Sequence, residues 1–334
     1  MQTACLALLL EALLGYPAWL YGRVRHPVVW IGTLIDTLER RLNRPAGTTR
    51  SRGALALALA LALPTGLALL LGAGLRRLLP PRAARLVLAL LASTLLAQRS
   101  LHHHVRDVGC ALRAGGIGPA RTSLARIVGR ETAELDEPAV LRAAIESLAE
   151  NFSDGVVAPA LWCALLGLPG ITLYKALNTA DSMIGHRSPR LRQFGWAAAR
   201  LDDLANLPAA RLSALWLALA AGSRAPGILR IAIRHAPRHR SPNAGWPEAA
   251  MAAALGLRLG GPRRYADELV DDGWLGSGTP DARPADLDRA LALYRRACVL
   301  QLAACAALAW WRHSGLAAHR AASSNASIAR CASR

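Results

Sequence analysis

Residues 53–75 read GALALALALALPTGLALLLGAGL, and no charged side chain interrupts them. In a helix that rises about 1.5 Å per residue, a stretch of this length crosses a hydrocarbon core of about 30 Å. The rest of the chain has a similar character, because 53% of its 334 residues are hydrophobic and its mean hydropathy is +0.25. This composition excludes most soluble folds and predicts a membrane-spanning protein.

A second uncharged stretch, residues 155–174, is about long enough to cross the bilayer. It contains Pro159, Gly167, Pro169 and Gly170, and such interruptions at membrane depth are typical of broken or re-entrant helices. Shorter apolar runs that could span with tilt lie at residues 4–21, 86–97, 212–222 and 297–311. The first of these has no basic n-region, so we expect a retained first helix rather than a cleaved signal peptide.

Helical periodicity dominates the polar segments, and no strand-like alternation of useful length occurs. The sequence therefore predicts an all-α, polytopic integral membrane protein with broken or re-entrant helices and hydrophilic helical loops. No linker or internal repeat divides the chain. We expect residues 1–311 to form a single membrane-embedded domain and residues 312–334 to form a polar C-terminal tail.

The net charge of +18 comes almost entirely from arginine, because Lys175 is the only lysine in the chain. The arginines are scattered through every hydrophilic segment, which favours anchoring to a lipid bilayer and argues against a nucleic-acid partner. Three consecutive histidines, His102, His103 and His104, cannot all face one metal ion from a helix. We interpret them as a feature of the membrane interface rather than as a ligand set.

Three carboxylates lie just before the second uncharged stretch. Glu146, Glu150 and Asp154 are spaced i, i+4, i+8, which predicts one acidic helix face that runs into the apolar segment. Like charges at this spacing repel one another unless a cation or cationic ligand lies among them. The alternative is a solvated acidic stripe paired with arginines such as Arg142, but proximity to the bilayer favours a functional site, because ionisable groups are expensive at membrane depth.

A second polar group lies beyond the uncharged stretch. Asp202 and Asn206 share a helix face, with Asp203 beside them, and supply the hard oxygen ligands that Mg²⁺ takes. Arg200 and Arg211 flank this group and could clamp a phosphate. Taken alone, this pattern is more often a capped helix end than a metal site.

Two further loops contain polar residues among turn formers. One reads HPVVWIG from His26, and the other reads SPNAGWPE from Ser241 and includes Asn243 and Glu248. A helix start and an ordinary turn would look the same as binding loops here. The chain has no Walker A loop, dinucleotide fingerprint, nucleophile elbow or HExxH motif, so any use of nucleotide must rely on a different kind of site.

Together these segments resemble the membrane-bound adenosylcobinamide-phosphate synthases, the CbiB or CobD family. The resemblance runs from residue 11 to about residue 275, and its order and spacing make it specific. Besides the stretches above, it is carried by VGRET from Val128, ESLAENFSDGVVAP from Glu146 and NTADSMIG from Asn178. One departure is Tyr16, which stands where the family usually has the aspartate of a Gly-Asp-Pro sequence.

The resemblance implies ATP-dependent amide formation between a carboxylate of adenosylcobyric acid and the amine of aminopropanol phosphate or a related amino alcohol. The product would be adenosylcobinamide phosphate. The resemblance also implies ATP and Mg²⁺ as cofactors, a location in the cytoplasmic membrane of a bacterium, and room for a complex with other enzymes of cobalamin biosynthesis. A membrane transporter and a non-catalytic scaffold of the corrinoid pathway remain the alternatives.

The resemblance also implies roles for individual residues. The expected catalytic residues are Glu146, Glu150, Asp154 and Asp181. The expected substrate-binding residues are His26, Asn151, Asn178, Arg187, Arg200, Arg211, Asn243 and Glu248. The expected metal ligands are Asp202, Asp203 and Asn206.

A geometric prediction follows from the use of ATP at a single site. The acidic face that ends at Asp154 and the polar face that begins at Asn178 must meet on one side of the membrane. A full crossing by residues 155–174 would separate them, so we predict that this stretch turns back within the membrane or contains a break.

Overall fold

The computed structural model describes residues 1–17, 22–44, 49–186, 188–265 and 268–332. Side chains are described in these ranges except for residues 262–265, 268–272, 312–313 and 315–332. The helices in chain order are α1 (Gln2–Leu14), α2 (Pro27–Leu42), α3 (Arg50–Leu78), α4 (Pro81–Ser93), α5 (Gln98–Gly115), α6 (Ile117–Leu124), α7 (Glu137–Phe152), α8 (Ala158–Ile184), α9 (Trp196–Ala220), α10 (Ala225–His235), α11 (Gly245–Leu255) and α12 (Pro284–Ala332). A π-helical turn (Ser153–Val157) joins α7 to α8, and short 3₁₀ turns lie at Gly222–Arg224 and Ala236–Arg238.

Four helical segments among the described residues are long and apolar enough to cross a membrane: Arg50–Leu78, Pro81–Gly115, Glu137–Ile184 and Pro284–Trp311. The first is α3, which contains the predicted span at residues 53–75 and leaves leucines such as Leu70 exposed, as expected of a lipid-facing surface. These segments confirm the prediction of a helical, polytopic membrane protein.

Two of the shorter apolar runs that could span with tilt are not among the four segments. Helix α1 is only 13 residues long because it stops before Gly15, whose φ of 61° leaves the helical region. It is therefore shorter than a full span, and residues 18–21 of that run lie outside the described residues. The run at residues 212–222 forms the end of α9, which is not one of the four segments.

The chain doubles back inside α8. Gly167 has non-helical torsion angles (φ 69°, ψ −150°) and is followed by Pro169, so the helix breaks at this point. In one straight helix, Asp154 and Tyr174 would lie roughly 30 Å apart. The Tyr174 hydroxyl instead lies 3.1 Å from the backbone carbonyl oxygen of Asp154, which confirms the predicted re-entrant stretch.

Close packing between the two arms of this turn depends on Gly170. A Cβ atom at that position would lie 2.3 Å from the carbonyl oxygen of Trp162, on the opposite arm. The residue must therefore remain glycine for the arms to approach each other. The turn also returns the chain from Gly167 to the level of the π-helical turn, and so prepares a shared site for both ends.

Helix α7 lies at the centre of the larger hydrophobic core. Leu141, Ile145 and Leu148 are fully buried there, and other elements of the chain surround them. A second cluster joins α2, α3 and α8 through side chains such as Ile35 and Leu57. Most of these contacts are made by alanine and leucine, which allow the helices to pack closely.

The sequence prediction contained no strands, and it is wrong at one place. An antiparallel hairpin forms from β1 (Leu259–Tyr265) and β2 (Glu268–Leu275). Gly260 and Gly261 both have positive φ and produce an irregular register, so no regular alternation of apolar and polar residues marks β1. The Trp274 ring lies directly over Gly261, where a Cβ atom would be 2.6 Å away.

Candidate functional site

A cavity of about 660 Å³ lies where the re-entrant turn returns. Its wall includes five of the predicted site residues: Glu150, Asn151, Asp154, Asn178 and Asp181. The two segments that precede and follow residues 155–174 therefore meet at one place, as predicted. We call this space the acidic cavity. The rest of its wall comes from α5 and the residue before it, the 126–129 loop, α7, the π-helical turn and α8: Ala97, Ser100, Leu101, His104, Arg126, Ile127, Val128, Gly129, Ser147, Gly155, Lys175 and Ser182.

Helix α7 presents one polar face to this cavity. Ser147, Glu150, Asn151 and Asp154 are spaced i, i+3, i+4, i+7, which keeps them on one side of a helix. The spacing i, i+4, i+8 turns by about 80° in total, and the first member of the predicted acidic set is accordingly not in the wall. Ser147, and not Glu146, therefore lies on the helix face that lines the cavity.

Glu146 instead joins three parts of the fold. One carboxylate oxygen accepts a hydrogen bond from Arg130 Nη2 at 2.8 Å, and the other accepts from the backbone N–H of Gly260 at 2.8 Å. Both side chains of the ion pair are nearly buried. Because its oxygens bind the 126–132 region and strand β1, Glu146 has the contacts of a residue that holds structure in place.

A hydrogen-bonded network continues from the cavity to α9. The Tyr174 hydroxyl donates to Asn206 Oδ1 at 2.8 Å, and Asn206 Nδ2 donates to Asp202 Oδ2 at 2.9 Å. The other oxygen of Asp202 is buried and has no hydrogen-bond partner among the described residues. Burial, and to a lesser extent the negative charge of Asp181, raise the pKa of the Asp202 carboxyl to about 7. A buried acceptor without a donor is costly.

Lys175 is a site residue that the sequence prediction missed. Its ammonium group lies 3.4 Å from Asn178 Oδ1 and interacts electrostatically with Asp154 and Asp202. A signal was present in the sequence, because the only lysine of a chain rich in arginine follows directly on an uncharged stretch of twenty residues. Lysine differs from arginine in being a compact charge on a flexible stem, which suits a confined site.

Arg126 is a second cation that the prediction missed. Its side chain is exposed at the cavity wall and makes no hydrogen bond or ion pair with the described residues. Arg126 lies two residues before the VGRET segment, and Gly129 of that segment also lines the cavity. The loop thus offers a guanidinium beside open backbone, a combination that binds phosphate in many proteins.

A neighbouring cavity of about 450 Å³ contains His26 and Tyr16. Ser100 and His104 line both cavities, so the two spaces are adjacent. The Nδ1 atom of His26 accepts a hydrogen bond from the N–H of Val28 and caps α2. Burial lowers the pKa of His26, and the positive charge of Lys175 lowers it further.

Three predicted substrate-binding residues lie outside both cavities. Arg211 Nη1 donates to Asn243 Oδ1 at 3.1 Å, and its guanidinium lies over the Trp246 ring at 4.6 Å. Asn243 Nδ2 donates to the carbonyl oxygen of Asp203 at 2.7 Å. Glu248 is 1% exposed and lies 3.8 Å from His239. These contacts fasten the 241–248 loop to α9, and we call this group the loop clamp.

The remaining predicted residues have other positions. Arg200 is exposed on α9 and does not line either cavity. Arg187 lies outside the described residues. Asp203 is half-buried, and its charge acts on Asp181. None of these positions tests the predicted roles.

The described residues contain no group of three histidine, cysteine, aspartate or glutamate side chains placed to hold a metal ion by themselves. The donors nevertheless suit Mg²⁺ that arrives with phosphate, because this ion usually takes one or two carboxylates and completes its shell with water and substrate oxygens. The unpartnered oxygen of Asp202, close to the charges of Asp181 and Asp203, is such a donor set.

Comparisons with known proteins identify the family of the chain. The family model for CobD/Cbib protein matches residues 4–294. The chain is 51% identical over 289 residues to cobalamin biosynthesis protein CobD of Rhodobacter capsulatus, covering 86% of this chain and 90% of that relative. It is 49% identical over 314 residues to CobD of Sinorhizobium fredii, covering 90% and 94%. No solved structure matches the chain. The chain belongs to the CobD/CbiB family.

Proposed function

We propose that this chain acts in cobalamin biosynthesis as an ATP-dependent amide ligase. It would join a carboxylate of adenosylcobyric acid to the amine of aminopropanol phosphate while ATP is cleaved to ADP and phosphate, with the phosphate taking the oxygen that the carboxylate loses. The product would be adenosylcobinamide phosphate. The observation that supports this proposal is the acidic cavity, whose wall contains Glu150, Asp154 and Asp181 together with Lys175 and Arg126. The substrates carry carboxylate and phosphate anions as well as an ammonium group. The site therefore needs both cationic and anionic side chains at one place.

The two cations of the cavity wall would bind phosphate groups of the substrates. Lys175, at the inner wall, would bind a phosphate oxygen and hold it near the carboxylates. Arg126, at the exposed wall, would bind the phosphate of the amino alcohol through its planar guanidinium. Each phosphate would bring negative charge to a space that already contains several carboxylates, so the two cations would lower the electrostatic cost of binding.

The carboxylates would divide the other tasks between them. Glu150 is exposed in the cavity and would accept a proton from the substrate ammonium, because the amine reacts only in its neutral form. Asp181 and Asp202 would hold Mg²⁺, which supplies charge neutralisation of the nucleotide phosphates. Tyr174 and Asn206 would keep the Asp202 carboxylate in position through their hydrogen bonds.

The size of the cavity indicates how a corrinoid would bind. A volume of about 660 Å³ falls within the range of pockets for small ligands, and an adenosylated corrin ring is larger than such ligands. We therefore expect only the reacting acid side chain to enter, while the ring stays at the mouth. The adjacent cavity with His26 and Tyr16 would extend the binding surface beyond the acidic cavity.

The test is a ligation assay with purified full-length protein in detergent. The protein is incubated with adenosylcobyric acid, aminopropanol phosphate and Mg²⁺-ATP, and the corrinoid is analysed by mass spectrometry. We expect a product heavier by the amine minus one water, with ATP consumed in proportion. Product formation distinguishes a ligase from a transporter or scaffold. A folded protein that binds the corrinoid but forms no product would overturn the proposal.

A further inference from the structure

A third cavity, of about 400 Å³, lies between α1, α5 and α12, away from the predicted site residues. Its wall combines basic and apolar side chains: Ala12, Gln98, Arg99, His102, His103, Tyr294, Arg295, Cys298 and Val299. Two of the three consecutive histidines noted in the sequence therefore line it. No aspartate or glutamate is among the described residues of this wall, so the cavity is basic.

Of the cations in this wall, Arg295 lacks a partner of opposite charge, whereas the charge of Arg99 acts on the Glu11 carboxylate. The Arg295 guanidinium makes no hydrogen bond or ion pair with the described residues, and its charge acts on His102. The charges of Arg106 and Arg99, and with opposite sign that of Asp107, act on His103. Arg99 is partly used, since its Nη1 donates to the carbonyl oxygen of Leu13. An unpaired guanidinium with further positive charges around a concave surface favours binding of an anion.

The cavity lies at the level where two helices leave the apolar layer. Arg99 is two residues after the apolar run at residues 86–97, and Arg295 is two residues before the run at 297–311. Charged residues at the ends of membrane spans lie near the lipid headgroups. Both runs therefore put the cavity at the membrane interface rather than in the hydrocarbon core.

An apolar track leads from the cavity along α12. Val299, Ala303, Ala306 and Trp310 are exposed and repeat at spacings of four and three residues, which keeps them on one helix face. The track extends for roughly 16 Å along the helix, a length that suits a lipid acyl chain. A free phosphate or another soluble anion would gain no favourable contact from this apolar surface.

From the unpaired charge, the position and the apolar track, we propose that this cavity binds an anionic phospholipid. The headgroup phosphate would contact Arg295 and the imidazoles of His102 and His103, and an acyl chain would lie along the exposed face of α12. The site is separate from the acidic cavity, so this inference does not depend on the proposed ligase activity.

The experiment uses full-length protein purified in neutral detergent and stripped of lipid. Its melting temperature is followed during titration with phosphatidylglycerol, with phosphatidylcholine and with inorganic phosphate. We expect phosphatidylglycerol to stabilise the protein at the lowest concentration. Substitution Arg295→Gln should weaken this apparent affinity about fivefold, as expected for one interfacial cation. His103→Gln, on the other helix, should weaken it in the same direction.

The matched control is Arg296→Gln. Arg296 is exposed and adjacent in sequence, but its Nη1 lies 3.4 Å from the carbonyl oxygen of Ala220 and it does not line the cavity. We expect it to leave the lipid affinity unchanged. Equal stabilisation by phosphatidylcholine or by inorganic phosphate would contradict the proposal. Equal losses in Arg295→Gln and Arg296→Gln would also contradict it, because the effect would then be a general one of surface charge.

Discussion

The acidic cavity and the loop clamp were both predicted as parts of one site, yet they use their polar groups differently. In the loop clamp, Arg211, Asn243 and the carbonyl of Asp203 satisfy one another. In the acidic cavity, Arg126 has no side-chain partner among the described residues, and Asp202, which lies outside the cavity wall on α9, keeps a buried oxygen without a donor. Polar groups that satisfy each other stabilise a fold, whereas groups left open are available to a ligand.

This comparison predicts its largest effect at Lys175. Because Lys175 is the buried cation among the carboxylates, we expect Lys175→Met to reduce the ligation rate at least about 100-fold. Lys175→Arg should recover only part of the rate, since a planar guanidinium cannot replace a compact ammonium group. The measurement is the rate of corrinoid product formation, with circular dichroism to show that the fold is retained. Full activity in Lys175→Met would remove Lys175 from the site.

The second prediction concerns Glu146, which separates structural acids from cavity acids. Removing a nearly buried partner of Arg130 by Glu146→Ala should cost about 3 kcal/mol of stability. The matched control is Asp36→Ala, which breaks an exposed pair with Arg40 and should cost less than about 0.5 kcal/mol. Both are measured by denaturant unfolding in mixed micelles. If the two variants lost equal stability, the structural role of Glu146 would be refuted.

The third prediction tests the loop clamp. Asn243→Ala removes one acceptor for Arg211 and one donor to Asp203, so it should cost about 1–2 kcal/mol of stability. The ligation rate per folded molecule should stay within about twofold of the unmodified protein, because Asn243 lines neither cavity. A large loss of rate with unchanged stability would instead return Asn243 to the substrate site, as the sequence first predicted.

The smallest expected effect concerns His26 and pH. Because burial lowers the pKa of His26, the folded state favours the neutral ring. The unfolded chain then binds the proton more readily, so stability should fall as the pH decreases below the ordinary histidine value of 6.5. Protonation also removes the Nδ1 acceptor that caps α2. His26→Asn keeps a capping side chain and should show a weaker dependence of the melting temperature between pH 7 and pH 5, in contrast to the unmodified protein.

Much of the fold could be predicted from the sequence because its signals are local. An uncharged run of sufficient length predicts a span, and Gly167 two residues before Pro169 predicts a break. The hairpin at residues 259–275 was missed because its glycines hide the alternation on which strand prediction depends. The early end of α1 was also missed, since Gly15 has little effect on average hydropathy.

The site was less predictable because its members depend on which side chains already have partners. Glu146 and Glu150 look alike in the sequence, and only the positions of Arg130 and Gly260 separate their roles. The segment around Asn243 has the composition of a binding loop, but the Asn243 side chain makes its hydrogen bonds to other residues of the protein. Lys175 could have been recognised as the only lysine of the chain, whereas nothing in the sequence distinguishes Arg126 from the many other arginines.

The re-entrant stretch at residues 155–174 brings both ends of the site together, and a shared site requires it. Single cysteines at Glu150 and Ser182, which both line the acidic cavity, would be introduced into a variant without other cysteines. Each would be labelled in sealed vesicles of known orientation with a maleimide that cannot cross the membrane. We expect both positions to react from the same side. Reaction from opposite sides would mean that residues 155–174 cross the bilayer, and would contradict a shared site.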